Sequence, residues 1–333
     1  MKSFNMHPGP NANLSKTAPG APRFFVAAFL VSVLISCHAA PSVNRSGLPG
    51  DMEELSLSIQ DMKRTARIYV PAGYNKQKLP VIVLLHGSGS DGYSVARQSG
   101  MSLAAQQRGF IVVYPDALPL DPQKPASAQN PRVWADGTGR GFAGENPEND
   151  VIFIRGLLNR IFEDLPADPD QVHIAGFSNG GSMTFRLARE LPELFRRIAV
   201  VAGVSWLEHM EGDKQDLLYI TARQDSVIPP NKEISKLPHS TVDRSTSVSR
   251  TLMQWMDQCR SSRDASVLYL PRELQKRTQH FDCNDRVVQY LELPRTAHVW
   301  PGGQDDPVGE LNATTYIVRF LLDGKRQSHA LGL

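Results

Sequence analysis

Two unbroken apolar runs constrain the fold most: "VIVLL" after Pro80 and "FIVVY" after Gly109. Neither alternates apolar with polar residues, and both end in turn-forming residues, so each reads as a strand buried on both faces. A sheet of such strands must carry helices on both sides. The rest of the chain supplies them. Helical character is expected over Tyr93–Arg108, about Asp150–Leu165, Gly180–Leu191 and about Glu310–Leu322. Further strands are expected in "QVHIAG", "RRIAVVAGV", "DLLYITA" and "VVQYLELP", and "ELSLSIQ" with "RTARIYV" reads as an early hairpin. The alternation predicts an α/β fold with a mostly parallel, twisted sheet, whose ligands bind outside the carboxyl ends of the strands. Residues 117–149 are rich in Pro, Gly, Asp and Asn around Trp134, and read as one long loop.

The 333 residues carry a formal net charge of only +2 and no long basic run, which argues against a nucleic-acid partner. No internal period recurs. The beginning of the chain has another character. Phe24–Ile35 ("FFVAAFLVSVLI") is apolar throughout and follows Lys2, Lys16 and Arg23. It is short for a membrane span but suits the apolar region of a secretory signal. "LISC" closes it and resembles a bacterial lipobox, which would make Cys37 the acylated N-terminus and 1–36 the signal peptide. An ordinary signal peptide with an incidental Cys37 is the alternative, and Met6 is a possible second start. His38 rather than Asp after the cysteine points by resemblance to the outer membrane. On this reading 37–53 is a tether, 54–323 the folded domain and 324–333 a polar tail. The only membrane contact is the N-terminal lipid.

Three cysteines occur: Cys37, Cys259 and Cys283. With Cys37 lipidated, the other two form an even pair in an oxidising compartment. A bridge between them would close a loop of about 25 residues, worth on the order of 3 kcal/mol in the chain-entropy model. Two buried free thiols are the alternative. No spacing suggests zinc.

"GFSNG" (Gly176–Gly180) satisfies G-x-S-x-G between a predicted strand and a predicted helix. There a serine sits on a sharp turn, and only glycines allow the two elements to approach. Ser178 is thus a candidate nucleophile, and a helix cap is the alternative use of such a serine. A hydroxyl needs a base, and where this motif serves catalysis the order along the chain is Ser, acid, His. Of the histidines after Ser178, His298 in "RTAHVWPGG" lies just past a strand end in a glycine-containing loop. For the acid, Asp225 follows the strand "DLLYITA", whereas Asp216 opens that strand at the wrong edge of the sheet. Oxyanion donors are expected at the N–H of Asn179 and, in the Gly-rich "LHGSGSDG" loop, at the N–H of Ser88. That loop lacks the G-K-[ST] ending of a phosphate-binding loop.

In order along the chain, "LHGSG", "GFIVVYPDA", "NDVIFI", "GFSNGGSM", "FRRIAVVAG", "QDSVIPP", Cys259/Cys283 and "HVWPGG" resemble the poly(3-hydroxybutyrate) depolymerase-like, LpqC-type esterases of the α/β-hydrolase superfamily. Feruloyl and acetyl-xylan esterases are relatives of that group. The resemblance implies Ser178, Asp225 and His298 as a triad and Trp300 as a pocket residue. "RVWADG" departs from a family Trp-Asn element, with Ala135 in place of Asn, and "ARQD" replaces the family's Gly-containing turn before the acid. The implied activity is an exported serine esterase acting through an acyl-serine, with no metal or organic cofactor. Its expected substrates are hydroxyalkanoate oligomers, short-chain acyl esters or hydroxycinnamoyl esters, and not solid polymer. A serine peptidase of the same fold and a non-enzymatic envelope-binding lipoprotein are the competing classes. Oligomeric state is not legible.

Overall fold

The computed structural model describes residues 52–74, 77–208, 215–235, 237–256, 260–262, 278–283 and 286–323. The signal, the tether up to residue 51, Cys37, Cys259 and the polar tail all lie outside these residues.

Ten strands form one sheet in the order β1-β2-β4-β3-β5-β6-β7-β10-β9-β8. The central six, β4 (Ile111–Pro115), β3 (Leu79–Leu85), β5 (Ala167–Phe177), β6 (Arg197–Val201), β7 (Asp216–Ala222) and β10 (Arg286–Leu293), are mutually parallel. The edges are antiparallel. β1 (Glu53–Ile59) and β2 (Met62–Tyr69) form the expected hairpin, and β2 pairs with β4. On the other side β9 (Thr278–Cys283) pairs with β10, and β8 (Arg260–Ser262) with β9. Sequence reading missed β8 and β9.

The apolar run in β3 explains why the sheet needs two covers. Val81, Val83 and Leu85 enter one core, while Ile82 and Leu84 enter the other, and all five are fully buried. Each such side chain contributes about 1.5–3 kcal/mol by leaving water. Helices α4 (Glu148–Asp164) and α5 (Asn179–Glu190) supply Phe153, Ile154, Leu157 and Phe185 to the first core. Helices α1 (Gly92–Ser99), α2 (Met101–Arg108) and α7 (Ala313–Asp323) supply Val95, Met101, Ile317 and Phe320 to the second.

The helix expected over Tyr93–Arg108 is two helices, because Gly100 at φ +65° ends α1 and begins α2. The long loop also differs from expectation. It contains a short helix, α3 (Gly141–Glu145), and a bridge between Pro119 and Arg132. Trp134, Asp136, Thr138 and Arg140 are all buried. Helix α6 (Val248–Trp255), unforeseen in the sequence, starts at Ser247, whose side chain accepts from the Arg250 N–H.

Candidate active site

β5 ends at Phe177 and α5 begins at Asn179, leaving Ser178 alone on the turn at φ 55°, ψ −120°. Positive φ is costly for a residue with a side chain, and such strain persists only where the surroundings enforce it. They do so here. The Ser178 N–H donates to the Val201 carbonyl at 2.9 Å and the Ser178 carbonyl accepts from the Ser182 N–H at 2.9 Å. The glycines have a steric reason. A Cβ at Gly176 would stand 2.2 Å from the Gly180 carbonyl oxygen, and one at Gly180 would stand 2.4 Å from that of His86.

The turn aims the serine at His298. The Ser178 Oγ lies 2.9 Å from His298 Nε2, and His298 Nδ1 lies 2.7 Å from Asp225 Oδ2. The carboxylate accepts the Nδ1 proton, which leaves Nε2 free to accept from the serine hydroxyl. The Asp225 side chain is fully buried and that of His298 is 19% exposed. Asp225 is held by its own loop, its Oδ1 accepting from the N–H groups of Val227 (2.8 Å) and Ile228 (2.7 Å). His298 stacks at a tilt on Phe177, with ring centroids 5.0 Å apart.

The β3 exit loop packs directly on the turn, since a Cβ at Gly87 would lie 3.3 Å from Ser178 Cβ. Ser88 and Asn179 both line the cleft beside Ser178. His86, fully buried, secures this loop. Its Nε2 accepts from the Ala117 N–H at 3.0 Å, so the proton sits on Nδ1 and is donated to the Gly87 carbonyl at 2.7 Å. Burial pushes the His86 imidazole below the ordinary histidine range, which keeps that neutral pattern.

Asn179 carries a second duty. Its side-chain oxygen accepts from the Trp134 N–H at 2.7 Å, and its amide donates to Asp136 Oδ2 at 2.7 Å. The first turn of α5 is thereby tied to the 134–140 loop. That loop is anchored again by Asp150, which accepts from the Ala135 N–H, and by Arg186, which donates to the Ala135 carbonyl.

The cleft encloses about 220 Å³, and its walls are Asp136, Arg140, Ser182, Val227, Ile228, Leu237 and Pro238 around Ser88, Ser178, Asn179 and His298. Ser182 lies in "GFSNGGSM" and Val227 and Ile228 in "QDSVIPP", but none of the first seven was assigned to the cleft from sequence. For Asp136 and Arg140 the available signal was the long loop that holds them. Trp300, expected in the pocket wall, is corrected: it is 1% exposed and its indole N–H donates to Thr314 Oγ1 at 3.0 Å. It meets Phe177 edge-on at 6.5 Å, and so backs the residue on which His298 rests. The Pro301-Gly-Gly segment draws it inward, since a Cβ at Gly303 would stand 2.4 Å from the Gln98 carbonyl oxygen. Cys283 is buried and disulfide-bonded, while Cys259 lies outside the described residues.

Comparisons agree with this architecture. Residues 65–231 match the family model described as esterase PHB depolymerase. Feruloyl esterase B of Thermothelomyces thermophilus is 30% identical over 139 residues, covering 42% of this chain and 44% of that enzyme. Feruloyl esterase C of Emericella nidulans is 26% identical over 212 residues, covering 61% and 71%. The chain spans less than half the length of feruloyl esterase B and of the Neurospora crassa feruloyl esterase D. Among solved structures, an acetyl xylan esterase from Aspergillus awamori matches with TM-score 0.51 at 16% identity, covering 75% of this chain and 94% of that one. An S-formylglutathione hydrolase from Agrobacterium tumefaciens matches with TM-score 0.52 at 16% identity, covering 82% and 92%. These two share the fold, an α/β-hydrolase sheet. With half of its length matched by the family model, the chain belongs to the esterase PHB depolymerase family.

Proposed function

We propose that the protein is a serine carboxylic-ester hydrolase working through an acyl-Ser178 intermediate. The observation that carries this is the unbroken relay from Ser178 through His298 to Asp225, with the serine on a strained turn at the carboxyl end of β5. His298 takes the serine proton as the hydroxyl attacks the ester carbonyl, and Asp225 stabilises the imidazolium that results. The N–H groups of Ser88 and Asn179 are the donors for the developing oxyanion. His298 then protonates the leaving alcohol and activates the water that releases the acid.

A cleft of about 220 Å³ lies below the range usual for drug-sized ligands, and the four apolar walls suit a short aliphatic chain. The reading therefore favours short-chain acyl esters and hydroxyalkanoate oligomers over bulky hydroxycinnamoyl esters. Hydrolysis of a panel of p-nitrophenyl esters, methyl ferulate, acetylated xylan and hydroxybutyrate oligomers tests it. Turnover should be greatest on the short aliphatic esters and absent in Ser178→Ala. Equal turnover by that variant would refute the mechanism, and preference for methyl ferulate would refute the size argument.

Export as a lipoprotein through Cys37 is part of the proposal and rests on the apolar Phe24–Ile35 run followed by "LISC". Palmitate should label the wild type and not Cys37→Ala. A Cys259–Cys283 bridge belongs to the same reading.

A further inference from the structure

Arg140 has a place in the cleft that the hydrolytic relay does not use. It is 4% exposed, yet it lines the cleft with Ser178 and His298. Its Nε donates to Thr138 Oγ1 at 2.8 Å and its Nη2 donates to Asp136 Oδ2 at 3.0 Å. The remaining nitrogen, Nη1, has no acceptor among the described residues. Nη1 is not one of the fully buried unpartnered atoms, so it keeps some contact with solvent, and its hydrogens are free for a group entering the cleft.

Asp136 is not available to supply more. Its Oδ1 accepts from the N–H and the hydroxyl of Thr138, and its Oδ2 accepts from Asn179 Nδ2 and Arg140. Three of these four donors are neutral, so the Asp136–Arg140 ion pair is balanced in charge, while the four bonds occupy the carboxylate and leave Arg140 Nη1 unused beside the cleft. It is also fixed. The Gly137 carbonyl accepts from Arg244 Nη2 at 2.8 Å, and the Gly139 carbonyl accepts from the Thr241 hydroxyl at 2.7 Å. A Cβ at Gly139 would stand 2.3 Å from Thr241 Oγ1, so the loop has no slack there. A donor held in this way binds its acceptor with little ordering cost.

We infer that Arg140 is a substrate-recognition residue whose Nη1 donates to a carboxylate carried by the substrate a few bonds from the scissile ester. The short distance follows from the small volume of the cleft. A carboxylate is favoured over a neutral oxygen because its own charge adds Coulomb attraction and its two oxygens match the guanidinium fork. The substrate class becomes short esters that end in a free acid, of which a hydroxyalkanoate dimer is one. This rests on the esterase reading above.

Two substrate pairs test it: the hydroxybutyrate dimer as free acid against its methyl ester, and p-nitrophenyl hemiglutarate against p-nitrophenyl valerate. The first pair carries the charge on the alcohol side and the second on the acyl side. In one pair at least, wild type should favour the acid in kcat/KM by about tenfold or more, mainly through KM. Arg140→Gln should bring that ratio to about one, and Arg140→Lys should keep part of it. Equal or reversed preference in both wild-type pairs would overturn the inference, as would an unchanged ratio in Arg140→Gln. If Arg140→Gln does not fold, the wild-type ratio and Arg140→Lys decide. If wild type hydrolyses no ester, the esterase reading fails separately, and thermal denaturation with glutarate against dimethyl glutarate decides Arg140. Stabilisation of wild type by glutarate alone, lost in Arg140→Gln, would support recognition, and its absence in wild type would overturn it.

Discussion

Gly176→Ala puts the turn itself under test. The added Cβ would lie 2.2 Å from the Gly180 carbonyl oxygen, 2.4 Å from its carbonyl carbon and 2.6 Å from Thr184 Oγ1. Carbon and oxygen settle at about 3.3 Å or beyond, so α5 must withdraw from β5 by roughly 1 Å. Thr184 can rotate only by giving up its hydroxyl's bond to the Gly180 carbonyl, and that carbonyl is helix backbone that cannot swing aside without unwinding α5. Ser178 lies between the two elements and moves with them. A displacement of that size in a reacting group costs on the order of 100-fold in turnover. Overpacking costs a further 1–3 kcal/mol or so of stability. Gly100→Ala is the matched control: its φ is +65°, nothing lies within 4 Å of the added Cβ, and it is remote from the turn. It should lose about 1 kcal/mol and retain activity. The assay is kcat/KM on p-nitrophenyl acetate together with the labelling rate by a fluorophosphonate, each beside a thermal melt. A folded Gly176→Ala protein with wild-type turnover would refute the steric account of the motif.

Two further outcomes are expected. Asp225→Asn removes the acceptor that holds His298 in the productive tautomer and should lower kcat by roughly 10⁴-fold with KM little changed; a loss under tenfold would mean that Asp225 does not orient the base. His173, buried in β5, is pushed down to about 3, chiefly by burial and then by Arg197 and Arg196. Unfolded histidine titrates near about 6.5, so below that pH the unfolded chain takes up a proton that the native chain refuses. Stability should therefore be level in this group above about pH 6.5 and fall with pH until near 3, by about 2 kcal/mol at about pH 5. Urea unfolding of His173→Leu should show a difference between about pH 7.5 and 5 that is smaller by that amount, and an unchanged difference would refute the assignment.

The sequence was most informative where one requirement dominated. Unbroken apolar strands such as Val81–Leu85 require burial on both faces, so the parallel sheet and its two helical covers followed from pattern alone. Ser178, Asp225 and His298 were legible for a related reason: each follows a strand at its carboxyl end, and strand ends are visible in sequence. Edge strands β8 and β9 have no such run, and they were missed. The cleft walls were missed because they depend on long-range contacts. Asp136 and Arg140 lie in a polar segment that gives no hint of burial, and partners far along the chain, among them Asn179, Arg186, Thr241 and Arg244, draw it inward. Trp300 departs from the pocket role that the family resemblance implied for it. The glycines after it turn the indole away from the cleft toward Thr314.

The central claim is that Ser178 carries the acyl group. Mass spectrometry of protein quenched in acid during turnover of a slow ester tests it most directly. The peptide containing Ser178 should gain the acyl mass, the gain should vanish in Ser178→Ala, and it should accumulate when deacylation is slowed in acid. An acyl group found on another residue, or turnover by Ser178→Ala at the wild-type rate, would contradict the account.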